Sequence, residues 1–275
     1  MDYKDTVLFS DLDGTLFDSR GEISAVNRAA IEEYKAGGGR FAISTGREPN
    51  NAMTYVRENF TNAPSVAING AAVYDFGTGE YLWSVTIPRE GIDGVIGRVM
   101  RRFSGCDIQL YTSKGIVYIT PEATANRVFM SLHEPYSFSS PEAQKGERVF
   151  KCMFFAPGEI REEVHSELSA GDGRDYRVVP GTTDVGGVLT YYELLPLNAS
   201  KGTAMHSLRM HPDLKGRTFL AAGDYWNDYE MLLEADVAVA PENADEGIKK
   251  ICRYVTPSNN DHAIAHIIRE IIPLL

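Results

Sequence analysis

The sequence predicts an α/β protein in which a parallel-sheet domain is interrupted by an α+β module. Short apolar runs alternate with helical stretches between residues 6 and 70, as parallel sheets with crossover helices require. From residue 72 to 195 the runs instead pair around glycine turns, which favours an antiparallel sheet. The alternating pattern returns from residue 201. We therefore predict a discontinuous domain of residues 1–82 and 193–275, with an inserted domain of residues 83–192.

In the first segment, strands are predicted where short apolar runs stop at polar residues, at residues 6–9, 40–43 and 66–68. Ser24 can cap a helix that extends to Ala36 and is ended by three consecutive glycines. A second helix is predicted over residues 50–59. The short loops between these elements indicate strands that lie parallel in one sheet.

In the middle segment, a glycine-containing turn separates strand-like residues 72–74 and 81–87, which predicts a hairpin. Ile92, Val95, Ile96 and Val99 recur at helical spacing and predict an amphipathic helix that extends to Phe103. Further strands are expected at residues 108–111, 116–119, 150–155, 177–179 and 191–195. Further helices are expected at residues 123–132 and 159–168.

The last segment begins with a helix over residues 201–210 and a strand over residues 218–222 that stops at Gly223 and Asp224. A helix at 228–234 and a strand at 237–239 follow. Helices at 244–252 and 263–272 complete the predicted order, which is again that of an α/β domain.

Composition excludes several classes of protein. The chain has 275 residues, 43% of them hydrophobic, and carries a formal net charge of −11. This much apolar sequence can bury a core, which argues against disorder. The acidity argues against binding to a nucleic-acid backbone or to an anionic membrane surface. No apolar run is long enough to span a bilayer, the N-terminus lacks a signal-like apolar segment, and only three cysteines are present. We expect a cytoplasmic protein.

Polar residues follow three predicted strands of the outer domain, at residues 11–15, 44–47 and 223–224. Ligands of open parallel sheets bind beyond the carboxyl ends of the strands, so these loops are expected to converge on one pocket. Asp11, Asp13 and Asp224 are then candidate ligands for Mg²⁺, which takes a few carboxylates together with a substrate phosphate. One carboxylate can attack phosphorus and another can act as general acid or base. Thr45, Lys201 and backbone amides near Gly14 and Gly46 are candidates for holding a phosphoryl group.

Other interpretations of each motif alone are open. Asp11, Asp13 and Thr15 fit positions 1, 3 and 5 of a calcium loop, but Leu16 stands where that loop needs glycine. The aspartate pair alone fits a solvated turn. Residues 44–46 alone fit a helix cap, and Lys201 alone fits a surface lysine. His262 is interpreted as a structural loop histidine.

Four segments taken together resemble the motifs of the haloacid dehalogenase (HAD) superfamily, and their order and spacing agree over nearly the whole chain. They are Phe-Ser-Asp-Leu-Asp-Gly-Thr-Leu at residues 9–16, Ile-Ser-Thr-Gly-Arg at 43–47, Ser-Lys-Gly at 200–202 and Gly-Asp-Tyr-Trp-Asn-Asp at 223–228. The segments Asn-Gly at 69–70, Asn-Ala at 243–244 and Val-Thr-Pro-Ser-Asn at 255–259 resemble the Cof-type, class IIB branch.

The resemblance implies a role for each matching position. Asp11 would be the nucleophile and Asp13 the acid/base. Asp11, the backbone carbonyl of Asp13 and Asp224 would hold Mg²⁺. Thr45 and Lys201 would bind the transferring phosphoryl group.

The same resemblance implies supporting roles for four further residues. Asp228 would orient Lys201 or the metal shell. Gly46, Arg47 and Asn227 would bind the phosphate or the substrate.

The position of the insertion also fits this superfamily. Asp11 and Thr45 are 34 positions apart, which leaves room for one helix only, whereas Gly70 and Lys201 are 131 positions apart. The resemblance therefore implies a Rossmann-like (Rossmannoid) HAD core with a parallel sheet and an inserted α+β cap of type two. Four residues depart from those usual at their positions, namely Tyr225, Trp226, Glu242 and His262. The sequence therefore does not predict the rim of the pocket or the exact substrate.

These observations predict an Mg²⁺-dependent phosphatase of small phosphorylated metabolites, with sugar phosphates as the class that the resemblance favours. Two alternatives remain. One is a phosphomutase or phosphotransferase that passes the phosphoryl group to a sugar hydroxyl instead of water. The other is a non-catalytic regulator that binds phosphorylated metabolites, since a fold alone does not fix an activity.

Overall fold

The computed structural model of the chain describes residues 3–56, 59–126, 130, 135–183 and 189–275. Their contacts form two compact units. Unit 1 comprises Met1–Arg47, Met53–Trp83 and Ser200–Leu275, and unit 2 comprises Glu48–Ala52 and Ser84–Ala199. The domain limits drawn from the sequence at residues 83 and 192 stay a prediction.

The main sheet of unit 1 has five parallel strands in the order β14-β13-β12-β1-β2. Strand β1 lies between β2 and β12, and all five of its residues are buried. A central strand of a parallel sheet is buried on both faces, which explains why the residues of β1 are mostly apolar without alternation. The strand ranges are β1 (Thr6–Ser10), β2 (Arg40–Ile43), β12 (Thr218–Ala222), β13 (Val237–Pro241) and β14 (Tyr254–Thr256).

A second, smaller sheet in the order β3-β4-β5 contains the third predicted strand. It consists of β3 (Ser65–Ala67), β4 (Ala72–Asp75) and β5 (Glu80–Ser84). Strand β3 pairs antiparallel with β4, and a parallel bridge between Ser44 and Val66 links it to the end of β2. The third predicted strand is therefore present, but its ladder of backbone pairs is with β4, which places it in the smaller sheet.

Two helices of unit 1 begin at serines whose side chains cap them. Ser24 accepts a hydrogen bond from the Asn27 amide, and Ser200 accepts one from the Thr203 amide. The predicted cap of the first helix is therefore confirmed. The ranges are α1 (Ala25–Ala36), α2 (Pro49–Val56), α5 (Lys201–Ser207), α6 (Tyr229–Glu234), α7 (Glu246–Ile251) and α8 (Ala263–His266).

Unit 2 is built on a six-stranded sheet in the order β10-β11-β9-β6-β7-β8, antiparallel except between β7 and β8. Helices α3 (Arg89–Arg102) and α4 (Arg161–Ser169) bury Ile92, Val99 and Leu168 in a core cluster with residues of this sheet. The strands are β6 (Asp107–Thr112), β7 (Gly115–Tyr118), β8 (Tyr136–Phe138), β9 (Val149–Ala156), β10 (Arg177–Thr183) and β11 (Leu189–Leu195). Half of the helix predicted at residues 123–132 lies outside the described residues, and residues 123–126 form a turn rather than a helix.

The fold class predicted from the sequence, mixed α/β with a parallel sheet, is confirmed. Across the ranges described above, no helix is both long enough and apolar enough to cross a membrane.

Candidate active site

The loop that follows β1 brings the first two aspartates to the carboxyl end of the main sheet. The Asp11 amide donates to the carbonyl of Ala222, at the end of the neighbouring strand β12. Gly14 has φ +79°, and a Cβ there would lie 2.4 Å from Oδ2 of Asp224. Only glycine meets both demands, so the turn after Asp13 can approach the third predicted carboxylate.

Lys201, the first residue of α5, joins two of the acidic residues. Its Nζ donates to Oδ1 of Asp11 at 2.7 Å and to Oδ1 of Asp228 at 2.6 Å. The side chains of Lys201 and Asp228 are fully buried and that of Asp11 is 7% exposed. A buried charge needs such partners, so this lysine belongs to the site rather than to the surface.

The start of α5 is itself held by a close backbone approach. Gly70 has φ +86°, and a Cβ there would lie 1.9 Å from the carbonyl oxygen of Ser200. The glycine therefore lets the turn Ile68–Gly70 pass beside the residue that precedes Lys201.

Three carboxylates form a compact group. Asp11, Asp224 and Asp228 each offer an oxygen, and these oxygens lie within 4.8 Å of one another. Thr15 Oγ1 donates to Oδ1 of Asp224 at 3.0 Å, and Oδ2 of Asp228 accepts from the Asp224 amide at 3.1 Å. These bonds fix the carboxylates on adjacent loops. The set is all oxygen and fits a hard cation such as Mg²⁺.

The burial and crowding of these groups oppose their ionisation. Burial, followed by the charge of Asp228, raises the pKa of Asp11 well above its usual value. The same two causes raise the pKa of Asp224 to about 6. Burial opposes the charge of Lys201, but Asp11 and Asp228 outweigh it and raise the pKa of the ammonium group. Lys201 alone therefore does not offset the charges of the carboxylates, and a further cation bound beside Asp11 and Asp224 would stabilise their ionised forms.

Asp13 stands apart from this group because Arg47 engages both of its oxygens. Nε of Arg47 donates to Oδ2 at 2.9 Å, and Nη2 donates to Oδ1 at 2.7 Å. The Asp13 side chain is 59% exposed. The sequence placed Arg47 at the substrate, whereas the structure places it on the carboxylate of Asp13.

Comparison with known proteins gives the family. The model of the haloacid dehalogenase-like hydrolases matches residues 8–268. The chain belongs to this family. The superfamily and the Cof-type branch predicted from the sequence motifs are thereby confirmed.

Individual relatives of this haloacid dehalogenase-like hydrolase span nearly its whole length. A Streptococcus pyogenes protein whose name gives phosphatase as a provisional activity is 28% identical over 94% of this chain and 96% of its own. The Bacillus subtilis 5-amino-6-(5-phospho-D-ribitylamino)uracil phosphatase YwtE is 24% identical over 95% and 96%. A crystal structure of a Thermotoga maritima protein, 27% identical, superposes with a TM-score of 0.80 over 97% of this chain and 96% of that one.

The remaining predicted residues of the hydrolase lie in the neighbouring loops. Thr45 is buried, its amide donates to the carbonyl of Val66, and its hydroxyl oxygen accepts from the Arg47 amide. A Cβ at Gly46 would lie 2.7 Å from Oδ1 of Asn69. Asn227 is exposed on the turn Trp226–Asp228. Asp11, Lys201, Asp224 and Asp228 are joined to one another directly, whereas Thr45 and Gly46 lie against the segment of Val66 and Asn69.

Two asparagines from the Cof-type segments, Asn243 and Asn259, bind the backbone of the loop after β1. Nδ2 of Asn243 donates to the carbonyl of Gly14 at 2.8 Å, and Nδ2 of Asn259 donates to that of Phe17 at 2.8 Å. Oδ1 of Asn243 accepts from the Asn259 amide at 2.9 Å. Their presence in the Cof-type segments was the available signal, but nothing local in the sequence indicates a partner more than 200 positions away.

Three of the four departures from the usual motifs are exposed, and the fourth, His262, is half-buried. Tyr225 and Trp226 are 60% and 50% exposed, and Glu242 is exposed. His262 has φ +67°, which explains why glycine is usual there, and its Nδ1 lies 3.0 Å from Oγ of Ser24. This contact favours the structural interpretation of His262.

Proposed function

We propose that this hydrolase is an Mg²⁺-dependent phosphatase of small phosphorylated metabolites that works through an aspartyl-phosphate intermediate. The observation that carries the proposal is the buried Lys201 ammonium group, which binds Asp11 and Asp228. An oxygen of Asp224 lies within 4.8 Å of an oxygen of each of these two carboxylates, so one cation could bind all three. The family and the phosphatases among its relatives support it.

The residues that would hold the metal are Asp11 and Asp224, together with the backbone carbonyl of Asp13, while Asp228 would orient the shell. When bound, Mg²⁺ supplies positive charge that offsets the carboxylates and the substrate phosphate. The raised pKa values of Asp11 and Asp224 support this assignment, because a cation at that place would favour their ionised forms.

The chemistry assigned to the chain has two steps. The carboxylate of Asp11 attacks phosphorus, the phosphorus–oxygen bond to the leaving group breaks, and Asp13 gives that oxygen a proton. Water then attacks the aspartyl phosphate, Asp13 accepts a proton from it, and inorganic phosphate leaves with Asp11 restored. Lys201, Thr45 and the amide of Gly46 would bind the phosphoryl oxygens throughout.

Sugar phosphates are the favoured substrate class. The sequence resemblance implies them, and one relative is named for a substrate that carries phosphate on a ribityl chain. The net charge of −11 is compatible with such substrates if the anion is met by Lys201 and a metal rather than by a basic surface.

The test is phosphate release from a panel of phosphorylated sugars, nucleotides and vitamins by the wild type, Asp11→Asn and the control Asp213→Asn, with Mg²⁺ or with EDTA. Asp213 is exposed on a loop, so its variant is expected to match the wild type. Asp11→Asn and the EDTA sample are expected to lose at least about 10³-fold in kcat. Unchanged turnover by Asp11→Asn would contradict the mechanism.

The same panel separates the alternatives. Phosphate release that falls when free sugars are added, with new sugar phosphates formed, would favour a phosphotransferase. Tight binding of the panel without any release would favour a regulator.

A further inference from the structure

Asp13 owes its orientation to one arginine. The two bonds from Arg47 run from Nε to one carboxylate oxygen and from Nη2 to the other, at 2.9 and 2.7 Å. Such a paired contact fixes the plane of a carboxylate, not only its distance. An aspartate that is 59% exposed would otherwise be free to turn between rotamers.

Arg47 is in turn held by two aromatic rings. Its guanidinium carbon lies 4.6 Å from the ring centre of Tyr55 and 5.8 Å from that of Phe17. The two rings are themselves 5.4 Å apart. Phe17 ends the loop that carries the aspartates, and Tyr55 lies on α2. The arginine side chain is only 22% exposed as a result.

The charge of Arg47 is stabilised by the same neighbours. Burial opposes it, but the hydrogen bonds and charge of Asp13, together with Tyr55, outweigh burial and raise the pKa of the guanidinium group. Stacking on aromatic faces adds to this because the ring quadrupole attracts a cation.

We propose that Tyr55 and Phe17 hold Arg47 so that Arg47 aims the carboxylate of Asp13 at the leaving-group oxygen. Arg47 and Tyr55 are therefore positioning residues for proton transfer. The edge of Arg47 that would bind a phosphate in a paired contact, Nε with Nη2, is already occupied by Asp13, which argues against a role as a phosphate ligand. The inference rests on the proposed function, which makes Asp13 the acid.

The inference predicts a dependence on the leaving group. A sugar phosphate releases a basic alkoxide that needs a proton, whereas 4-nitrophenyl phosphate releases a stable phenolate that hardly does. Misplacing the acid therefore lowers kcat/KM, which reports the first step, more for the sugar ester than for the nitrophenyl ester. Loss of a phosphate contact would affect both esters alike.

The experiment measures kcat and KM for glucose 6-phosphate, or the best sugar ester of the panel, and for 4-nitrophenyl phosphate. The variants are Arg47→Met, Arg47→Lys, Tyr55→Leu and Asp13→Asn. Tyr254→Leu is the matched control because it removes another contact of an arginine with a tyrosine ring, Arg253 over Tyr254 at 5.2 Å, on strand β14. Circular dichroism and thermal unfolding check that each variant folds.

For Arg47→Met we expect kcat/KM, which reports the first step, to fall about 10-fold more for the sugar ester than for the nitrophenyl ester. The second step, in which Asp13 accepts a proton from water, is common to both esters, so a loss in that step lowers kcat for both alike. Arg47→Lys, which keeps the charge but not the paired contact, should show the same pattern. Tyr55→Leu should show it at about threefold, and Tyr254→Leu not at all.

A double-mutant cycle tests whether Arg47 acts through Asp13. In the Asp13→Asn background, Arg47→Met should change kcat/KM by less than about twofold for either ester. If the losses of the two single variants multiply, or if Arg47→Met lowers kcat/KM equally for both esters, the inference is overturned and Arg47 is a substrate ligand. If Asp13→Asn lowers kcat/KM equally for both esters, the acid role and the inference fail together, while the result for Asp11→Asn still judges the phosphatase proposal.

Discussion

At the scale of a single residue, the raised pKa of Asp224 makes the stability of the metal-free protein depend on pH. Burial and Asp228 raise this pKa from 3.8 to about 6. The folded state then holds a proton that the unfolded state has lost, so the free energy of unfolding falls as the pH rises from about 4 to about 6. Its contribution is roughly 1–3 kcal/mol.

The measurement is urea unfolding in EDTA at pH 4 and pH 7 for the wild type and Asp224→Asn. The variant lacks the titrating group, so its loss of stability over this range should be smaller than that of the wild type by roughly 1–3 kcal/mol. Equal losses in the two proteins would show that Asp224 does not titrate in this window.

The residues of the candidate site were predicted unequally well. Asp11 and Asp224 lie together in the structure because they follow adjacent strands of a parallel sheet, and the sequence shows where those strands end. Lys201, at the start of α5, and Asp228, on the turn Trp226–Asp228, join them, and the motif resemblance implied both. The bond between Asp13 and Arg47 was not predicted, since it depends on side-chain directions in two loops.

The contacts of Asn243 and Asn259 with the first loop escaped prediction for a different reason. Each side chain binds a backbone carbonyl, and a backbone carbonyl leaves no trace in the sequence of its own residue. Such a contact can be found only once the fold has brought the two segments together.

At the scale of elements, the packing of the turn Ile68–Gly70 against the start of α5 predicts a steep cost for enlarging Gly70. A Cβ there would lie 1.9 Å from the carbonyl oxygen of Ser200 and would push the first turn of α5, with Lys201, from its place. We expect Gly70→Ala to destabilise the protein by more than about 3 kcal/mol and to lower kcat at least 10-fold.

Gly216→Ala is the matched control, because Gly216 also has a positive φ, +82°, but an added Cβ meets nothing within 4 Å. Its cost should be only that of the left-handed backbone, about 1–2 kcal/mol, with activity retained. Chemical denaturation and phosphate release measure both variants. Similar costs for the two would mean that the turn gives way without disturbing α5.

Elements with strong local signals were predicted closely, and short or context-dependent ones were not. Strands β2 and β12 occupy the predicted residues 40–43 and 218–222. Strands β8 and β14, each of three residues, were missed, although the equally short β3 was predicted. Helices α5 and α8 are shorter than predicted because α5 tightens into a 3₁₀ turn over Leu208–Met210 and α8 widens into a π-helix over Ile267–Ile271.

At the scale of the whole molecule, metal binding and folding should be linked. A cation that binds only the folded carboxylate group stabilises the protein by mass action, by about 2.7 kcal/mol at 100 times its dissociation constant. We expect Mg²⁺ to raise the unfolding temperature of the wild type and of Asp213→Asn, and to raise that of Asp224→Asn much less. Differential scanning calorimetry over a Mg²⁺ series measures this, and an equal rise in all three would place the binding elsewhere.

The order of strands in the main sheet also bears on how the chain is made. Strand β1 pairs with β12, so Val7 cannot reach its partner until Phe219, more than 200 residues later in the chain, has been synthesised. Until then the apolar strand that leads to Asp11 has only β2 to pair with, while unit 2 can already assemble around the local pairings of its hairpins. Pairings of such long sequence separation form slowly and leave apolar edges exposed in the meantime. The strand that leads to Asp11, the proposed nucleophile, would therefore be among the first parts translated and the last to be completed.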